Sequence, residues 1–388
     1  MLRSQGLWGA PRFGSARAGA LQAMEHLGYV QIDPIHVVER AHHHILWSRV
    51  PDYLPAHLDE LQRVERQVFE YWMHAASYVP LKDYRFSLPR MKAIRSGKQR
   101  WYGDKPVEEM KRVLKRIRRE GGLGIREFEE RHPGEIPIWH ERKPAKQALE
   151  ELLHEGRLMV DRRRGTEKIY DLTERVRPDG LDLTMPTVQE LLDHRIDRAL
   201  RSNGVFSLPE ATHLQKADRR KEVLVRIRSR VRSGDLREVE VEGSKLPHWM
   251  AASRGEQALS PACSASAGRE EVPEVRILSP FDPLVLLRKR LGWLFGFDYT
   301  LECYVTESKR AFGHFCLPLL WGEKFVGRLD AWADRPRGVL EVRKIWWEPG
   351  FNPSRESGFG EAWRSSLDTY ARFNRCAEVK MPGRKKTG

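Results

Sequence analysis

The sequence predicts an α+β protein, and three parts of it support that prediction. Residues 106–172 contain amphipathic helical stretches followed by a hairpin pattern, an order typical of a winged helix. Helix, helix and hairpin follow one another again over residues 187–249. From Ile277 onward, short alternating segments separated by turn residues predict β-strands at 299–305, 312–317, 324–331 and 340–346, and a last helix follows at 358–375.

The first of these patterns is the clearest indication of a partner. Residues 143–155 carry apolar side chains at the spacing of one helix face, and the hairpin at 158–172 has three arginines at its tip. A helix packed beneath such a hairpin can enter a DNA groove while the hairpin reaches phosphates. The DNA-binding residues predicted from this pattern are Lys143, Lys146, Arg162, Arg163 and Arg164.

Charge and cysteine content narrow the class of protein. The 388 residues include 68 Lys and Arg against 54 Asp and Glu, a net charge of +14, which suits a polyanionic partner. A positive net charge also fits binding to a membrane surface, but no apolar run is long enough to span a membrane. The four cysteines show no CxxC spacing, and no secretory signal precedes them. We therefore expect reduced thiols in a cytoplasmic, nucleoid-associated protein.

Residues 30–33, with the sequence Val-Gln-Ile-Asp, alternate between apolar and polar side chains. An extended backbone places Gln31 and Asp33 on one face, where an amide and a carboxylate can form a catalytic pair. The alternative is structural: Asp33 can cap a helix over residues 34–48 that has Pro34 at its first position. These four residues alone favour the helix cap over the catalytic pair.

Two further stretches hold candidate binding residues. The block at 68–80 is rich in aromatic residues around His74, and rings such as Trp72 can stack on a nucleotide or simply form a core. His42, His43 and His44 suggest a metal site, but no acidic or cysteine partner lies at ligand spacing. We predict no metal and no cofactor.

Four stretches resemble, in order, the bacterial YcaQ/AlkZ family of crosslink-repair DNA glycosylases. They lie between about residue 21 and about residue 347 and read LGYVQIDPIHVVERAHHHILWSRV, VFEYWMHAASYVPLKDYRFSLPRM, LSPFDPLV and LFGFDYTLECYV. Residues 31–33 match the Gln-apolar-Asp form of the signature that marks the active site in that family. Arg40 and His42 match the family's pattern and could line the cleft, or they could serve packing and surface charge. His74 also matches a family position. The resemblance further implies a full helix before residues 4–7, of which this sequence holds the end.

The resemblance implies three tandem winged-helix domains followed by a C-terminal β-rich domain with a terminal helix. We expect the first domain, with Gln31 and Asp33, to cover residues 1–122. The remaining expected boundaries are 123–180 for the second winged helix, 181–252 for the third, 253–272 for a linker or loop, 273–380 for the β-rich domain and 381–388 for a tail.

The activity that the family implies is monofunctional hydrolysis of N-alkylated purines, including crosslinked ones, in double-stranded DNA. The residues permit it: a carboxylate can stabilise the cationic sugar, an amide can hold water, and an alkylated purine leaves without a general acid. Because a crosslinked base cannot swing out freely, we expect Gln31 and Asp33 on an accessible concave surface between winged helices. We also expect a monomer. A non-catalytic winged-helix DNA-binding regulator is the alternative, since charge and wings would suffice for it.

Overall fold

The structure is a computed structural model, and it describes residues 1–128, 144–254 and 273–382. It is α+β, as predicted, and it divides into two compact units. The first unit comprises Met1–Leu54 and Arg195–Gly388, and the second comprises Pro55–His194. The number of winged-helix domains and their boundaries stay predictions. No helix in the described ranges combines the length and the apolar composition that a membrane crossing requires.

The secondary structure of the described residues is as follows, in chain order. The α-helices are α1 (Ala16–Leu27), α2 (Ala41–Trp47), α3 (Pro55–Arg63), α4 (Leu88–Arg95), α5 (Val107–Glu120), α6 (Pro144–His154), α7 (Thr173–Val176), α8 (Val188–Asn203), α9 (Leu208–Ala211), α10 (Ala217–Arg232), α11 (Pro283–Leu286), α12 (Arg288–Phe295) and α13 (Phe359–Phe373). The strands are β1 (Val30–Gln31), β2 (Val68–Trp72), β3 (Ala76–Pro80), β4 (Leu158–Arg164), β5 (Glu167–Leu172), β6 (Val205–Ser207), β7 (Leu236–Val239), β8 (His248–Ala251), β9 (Val275–Ile277), β10 (Leu317–Trp321), β11 (Lys324–Asp334), β12 (Val339–Trp347) and β13 (Glu378–Lys380).

The second unit contains two antiparallel hairpins. Strands β2 and β3 pair with Glu70 opposite Tyr78, and β4 pairs with β5 so that Arg164 lies opposite Glu167. The turn between β4 and β5 uses Gly165, whose φ of 66° suits glycine better than any residue with a Cβ. The apolar faces of α5 and α6 form one core with β4 and β5. The predicted helices at 106–120 and 143–155 and the hairpin after them are therefore confirmed within the described residues.

The first unit contains the larger sheet. Its strand order is β13-β12-β11-β10-β9, with β13 parallel to β12 and the other neighbours antiparallel. Helix α13 packs on it through Phe359, Trp363 and Leu367. A smaller sheet, in the order β6-β8-β7, follows α8 in the chain. The predicted strands at 324–331 and 340–346 and the terminal helix are confirmed.

Two predicted strands, at 299–305 and 312–317, are wrong. Residues 302–304 form a short 3₁₀ turn, and the residues after it form no strand until β10 begins at Leu317. The physical reason is Glu302, whose buried carboxylate accepts backbone N–H bonds from Ala311 (2.9 Å), Phe312 (2.8 Å) and Gly313 (2.9 Å). Those donors are therefore satisfied by a side chain instead of a neighbouring strand.

A buried ion pair fixes the end of α2 to the C-terminal half of the first unit. The Arg49 guanidinium donates to both oxygens of Asp282, at 2.6 and 2.8 Å, and both side chains are fully buried. Asp282 also accepts the Leu284 N–H at 2.9 Å and so caps α11. This fork-to-carboxylate geometry makes the turn at 279–283 a structural element.

Candidate active site

The segment from Gln31 to Arg40 is positioned by the core of the first unit. Val38 lies in that core, Ile35 and Val37 pack against it, and the Ala333 N–H of β11 donates to the Val37 carbonyl oxygen at 3.0 Å. Gln31 and Asp33 are 7% and 6% exposed. The expectation that both lie on an accessible surface is therefore wrong for the free protein. For Asp33, part of the reason is that the segment after it packs against this core.

The helix predicted over residues 34–48 begins only at Ala41. Residues 34–40 are instead tied to β11 and to α13, since the Glu39 N–H donates to the Asn374 side-chain oxygen at 2.7 Å. Asp33 therefore caps no helix. Its Oδ1 accepts the Ile35 N–H at 2.8 Å, which closes a local Asx turn. Strand β1 confirms the predicted extended backbone at Val30 and Gln31.

The Asp33 carboxylate is buried and accepts a hydrogen bond from the Ile35 N–H. Burial raises the pKa of Asp33, and the single hydrogen bond from Ile35 offsets only part of that effect. No basic side chain of the described residues forms an ion pair with Asp33. Two residues that the sequence did not single out, Cys303 and Tyr304, have a raised pKa, mainly through burial and to a smaller extent through the charge of Asp33. The wrong strand prediction at 299–305 concealed them.

The three consecutive histidines occupy separate environments. His44 is buried, and its Nε2 lies 2.8 Å from the Ile277 carbonyl oxygen, while burial lowers its pKa to about 4. His43 Nδ1 lies 2.8 Å from the Tyr53 hydroxyl. Within the described ranges, no three His, Cys, Asp or Glu side chains cluster as metal ligands would. His42 is 2% exposed, which speaks against direct contact with DNA, although its assignment stays a prediction.

The arginines of the β4–β5 wing differ from one another. Arg163 donates from Nε and Nη2 to the two oxygens of Glu70, each at 2.6 Å, and its side chain is only 15% exposed. Arg162 pairs with Asp161 and is 44% exposed, and Arg164 pairs with Glu127 and Glu167 and is 49% exposed. The three arginines were predicted together as phosphate contacts, but Arg163 is held by a buried carboxylate instead of being exposed at the tip.

The other predicted DNA-binding residues lie at several places. Trp72 lines a pocket of about 330 Å³ in the second unit, together with Trp101, Tyr102 and His154. Burial, with Arg90 and Lys168, lowers the pKa of His154 to about 3, so this histidine is neutral. His74 is half-buried in the turn between β2 and β3, Arg40 is half-buried before α2, and Lys146 is exposed on α6. Lys143 lies outside the described residues.

The comparison with protein families identifies the class. The family described as DNA glycosylase AlkZ-like matches residues 24–373, so the chain belongs to the AlkZ-like DNA glycosylase family. This membership confirms the resemblance seen in the sequence and supports a DNA glycosylase role in DNA repair.

A solved structure agrees with that assignment. The fold is similar to that of the Streptomyces sahachiroi DNA glycosylase AlkZ, with a TM-score of 0.60 over 98% of this chain and 96% of that chain. The two sequences are 15% identical, so the likeness concerns the fold. The assignment of residues 31–33 as the family's catalytic signature stays a prediction.

Proposed function

We propose that this protein is a monofunctional DNA glycosylase that hydrolyses the N-glycosidic bond of N-alkylated, cationic purines in double-stranded DNA, including N7-alkylguanines that form interstrand crosslinks. The observation that carries this proposal is Asp33. It is a buried carboxylate with a raised pKa, and no described basic side chain forms an ion pair with it. Gln31, two residues away, is also buried and supplies an amide.

The chemistry follows from the charge that develops. When the bond between C1′ and N9 breaks, its electron pair goes to the alkylated purine, which leaves as a neutral base, while the sugar becomes cationic. A carboxylate without a cationic partner gains most from that new charge. Water then attacks C1′ and gives its proton to Asp33, whose raised pKa makes it the stronger base. The Gln31 amide can hold this water, and no cofactor is needed.

DNA binding is assigned to the exposed cations of the second unit and to the aromatic and polar residues predicted beside them. Lys146 is exposed, and Arg162 and Arg164 are 44% and 49% exposed, so each can reach a phosphate. Arg40, Trp72, His74 and Lys143 stay proposed contacts, and Arg163 is assigned to holding the wing. We propose that the protein acts on its duplex as a monomer.

The test is single-turnover release of N7-methylguanine from a duplex with one such base, measured for the wild-type protein, Asp33→Asn and Gln31→Ala. We expect abasic product from the wild type and a loss on the order of 10²–10³ for Asp33→Asn, because Asn keeps the Ile35 hydrogen bond but not the charge. Gln31→Ala should lose less. A crosslinked duplex, followed by strand separation on a denaturing gel, tests the finer substrate.

A contrary result would be equally clear. Wild-type protein that shifts the duplex in a native gel and releases no base would mean a non-catalytic DNA-binding protein. Asp33→Asn protein that excises at the wild-type rate would remove Asp33 from the chemistry.

A further inference from the structure

Helix α10 of the first unit is strongly basic. Its 16 residues contain seven Arg or Lys against two Asp or Glu. A run of charge on a helix is often no more than a face turned to water. What α10 can bind therefore depends on which side of the helix the cations occupy and on whether carboxylates pair with them.

One side of α10 is fixed to the first unit. Val223 and Ile227 are fully buried, and the Arg230 guanidinium donates to Asp197 of α8 at 2.6 Å. At 3.6 residues per turn, the spacing i, i+4, i+7 and i+11 follows the opposite side of the helix. Four exposed residues occupy these positions and form what we call the basic face: Lys221, Val225, Arg228 and Arg232.

The cations of the basic face are not neutralised by the described residues. Elsewhere on the helix, two arginines have carboxylate partners: Arg219 with Glu222 and Arg230 with Asp197. No carboxylate in the described ranges forms an ion pair with Lys221, Arg228 or Arg232. Three positive charges on one face therefore stay available to an anion. Val225, which is 64% exposed, lies among them.

Helix α5 provides the contrast, because it is also basic. Four of its cations pair with glutamates of the same helix: Lys111 with Glu108, Arg112 with Glu109, and both Arg116 and Arg119 with Glu120. A helix that only faces water gains stability from such pairs. The basic face of α10 has no such pair within the described residues, which favours a partner of opposite charge.

The position of α10 in the chain is that of a groove-binding helix. It is the last helix in the order α8, β6, α9, α10, and the antiparallel hairpin of β7 and β8 follows it. In a helix-turn-helix motif, the later helix lies in the major groove. The basic face is about 16 Å long from Lys221 to Arg232, at 1.5 Å per residue, and a major groove is roughly 12 Å wide. Cations at its two ends can therefore contact phosphates on both edges of the groove.

The hairpin after α10 has the opposite charge. Glu238, Glu240 and Glu242 alternate along β7 and the turn that follows it, and all three are exposed. Carboxylates in these positions repel phosphates. This hairpin therefore cannot reach the DNA backbone as the arginines of the β4–β5 wing are proposed to do, and the helix is left to make the contact alone.

We propose that the basic face of α10 binds the phosphate backbone of duplex DNA, as a contact surface of the first unit, while the acidic hairpin of β7 and β8 stays clear of the DNA. This inference rests on the proposed function in one respect, because it takes double-stranded DNA as the ligand. Phosphates are the same at every base pair, so the contact contributes affinity and no preference for sequence.

The test compares two triple variants that lose the same charge. One is Lys221→Gln with Arg228→Gln and Arg232→Gln. The matched control is Lys111→Gln with Arg112→Gln and Arg119→Gln, which removes three exposed but paired cations from α5.

Fluorescence anisotropy with an undamaged duplex at several salt concentrations gives the affinity and its salt slope. The α10 variant should bind on the order of 10–100-fold more weakly, and its slope should fall by about two to three units. The α5 variant should stay within about half a unit of the wild-type slope. An unchanged slope for the α10 variant would overturn the inference, as would an equal loss in the α5 variant, which would mean an effect of net charge. Thermal melts check that both variants are folded.

A second readout locates the contact directly. Val225→Cys and Glu242→Cys proteins are labelled at the thiol with a short photoactivatable crosslinker and illuminated with the duplex. Labelled wild type controls for the four native cysteines. Val225→Cys should crosslink to DNA well above the wild type, and Glu242→Cys should not. Val225→Cys protein that crosslinks no better than wild type would overturn the inference, and crosslinking from Glu242→Cys would overturn the exclusion of the hairpin.

The two proposals fail differently. In single-turnover excision of N7-methylguanine, the α10 variant should need a higher protein concentration for half saturation and keep its maximal rate within about twofold. If the wild type excises the base and the α10 variant binds as the wild type does, only the inference about α10 is lost. If the wild type releases no base, the proposed function fails, and the salt slopes and crosslinks still decide whether α10 binds DNA.

Discussion

Asp33 and Glu39 lie six residues apart in one segment, and their surroundings shift the pKa values of the two carboxylates in opposite directions. Both are buried, at 6% and 4% exposure. Burial alone would raise the pKa of both, but hydrogen bonds from His36 and the Arg40 N–H hold the pKa of Glu39 at about 2. Arg375 and Arg335 add positive charge at 3.5 and 3.8 Å from Glu39 Oε2. Asp33 has the Ile35 N–H, and its pKa is raised.

This difference separates two uses of a buried charge. A carboxylate that accepts hydrogen bonds and ion pairs from several elements holds those elements together. Its charge is balanced by these partners and stabilises the fold. A carboxylate that is desolvated without a cation makes the folded state less stable at neutral pH, and its charge remains available to a cationic ligand or transition state. When neighbouring titratable groups have pKa values pushed apart, they usually perform different tasks. The predictions below test that separation.

The largest effect should be that substitution of Asp33 lowers excision without lowering stability, while substitution of Glu39 does the reverse. Asp33→Asn should lose excision on the order of 10²–10³ and melt no lower than wild type, because the substitution removes a desolvated charge. Glu39→Gln should excise within about threefold of wild type per folded molecule. It should also lose on the order of 2–3 kcal/mol of stability, less than a fully buried pair, because Arg375 is 68% exposed.

Urea titrations and single-turnover excision on the same protein preparations measure both sides of this prediction. If Glu39→Gln abolished excision while it stayed folded, Glu39 would belong to the chemistry. If Asp33→Asn unfolded the protein, the Asx turn would need the charge itself.

The sequence was sufficient to select Asp33 as a candidate, but it did not indicate the role of Glu39. The alternation at residues 30–33 and the resemblance around them were sufficient to select Gln31 and Asp33. The setting of Glu39 depends on Arg335, Asn374 and Arg375, which lie about three hundred positions away in the chain. No local pattern contains that information, and the same long-range contacts prevented the helix predicted from residue 34.

The second largest effect concerns Glu70 and Arg163 in the second unit, a carboxylate held by a cation as Glu39 is. Arg163→Ala leaves Glu70, which is 2% exposed, with Lys168 at 3.9 Å as its one cationic partner among the described residues, and should cost on the order of 3 kcal/mol. Arg162→Ala should cost under about 1 kcal/mol, because Arg162 is 44% exposed.

Removing both members of the pair tests its cause. The double variant Glu70→Gln with Arg163→Met leaves no buried charge unpaired, so it should recover most of the stability that Arg163→Ala loses. A double variant as unstable as Arg163→Ala would mean that the arginine acts through packing and not through charge. Urea unfolding of the three variants provides the comparison.

The next effect is on pH dependence. The folded pKa of Glu39 is lowered from 4.5 to about 2, so its contribution to stability is complete above about pH 4.5 and is lost as the pH falls towards 2. The pKa of Asp33 is raised above 3.8, so Asp33 takes up its proton at a higher pH than an ordinary aspartate. Excision should therefore fall with acid before the fold does, by about tenfold per pH unit below the pKa of Asp33.

The excision rate is measured at each pH, and the rate with the Asp33→Asn protein is subtracted to remove spontaneous depurination. Circular dichroism monitors unfolding over the same pH range, and the two midpoints are compared. Coincident midpoints would mean that acid stops excision by unfolding the protein. They would deny Asp33 a separate titration.

The wing shows where local sequence reasoning is reliable and where it stops. Apolar spacing predicted α5, α6 and the hairpin, because those elements bury neighbouring stretches of chain against one another. Three adjacent arginines looked equivalent in the sequence. Register decides between them: pairing on the β-ladder turns Arg163 towards Glu70 of another hairpin and leaves Arg162 and Arg164 half-exposed. The partner of Arg163 lies 93 positions earlier in the chain.

The smallest effect should be on the salt dependence of DNA binding, and it extends the comparison to these arginines. A cation that replaces counterions on one phosphate contributes about one unit to the slope of log affinity against log salt. Arg162→Ala and Arg164→Ala should each lower the slope by about one unit, since these two arginines are 44% and 49% exposed and can reach a phosphate. The double variant Glu70→Gln with Arg163→Met is the matched control. It is expected to fold and lacks an arginine of the same wing, and it should keep the wild-type slope because Arg163 is paired with Glu70 inside the protein. Fluorescence anisotropy with an undamaged duplex at several salt concentrations gives the slopes.

Equal losses for all three variants would show that Arg163 leaves Glu70 when DNA binds, and a slope unchanged by any of them would place this wing outside the DNA interface.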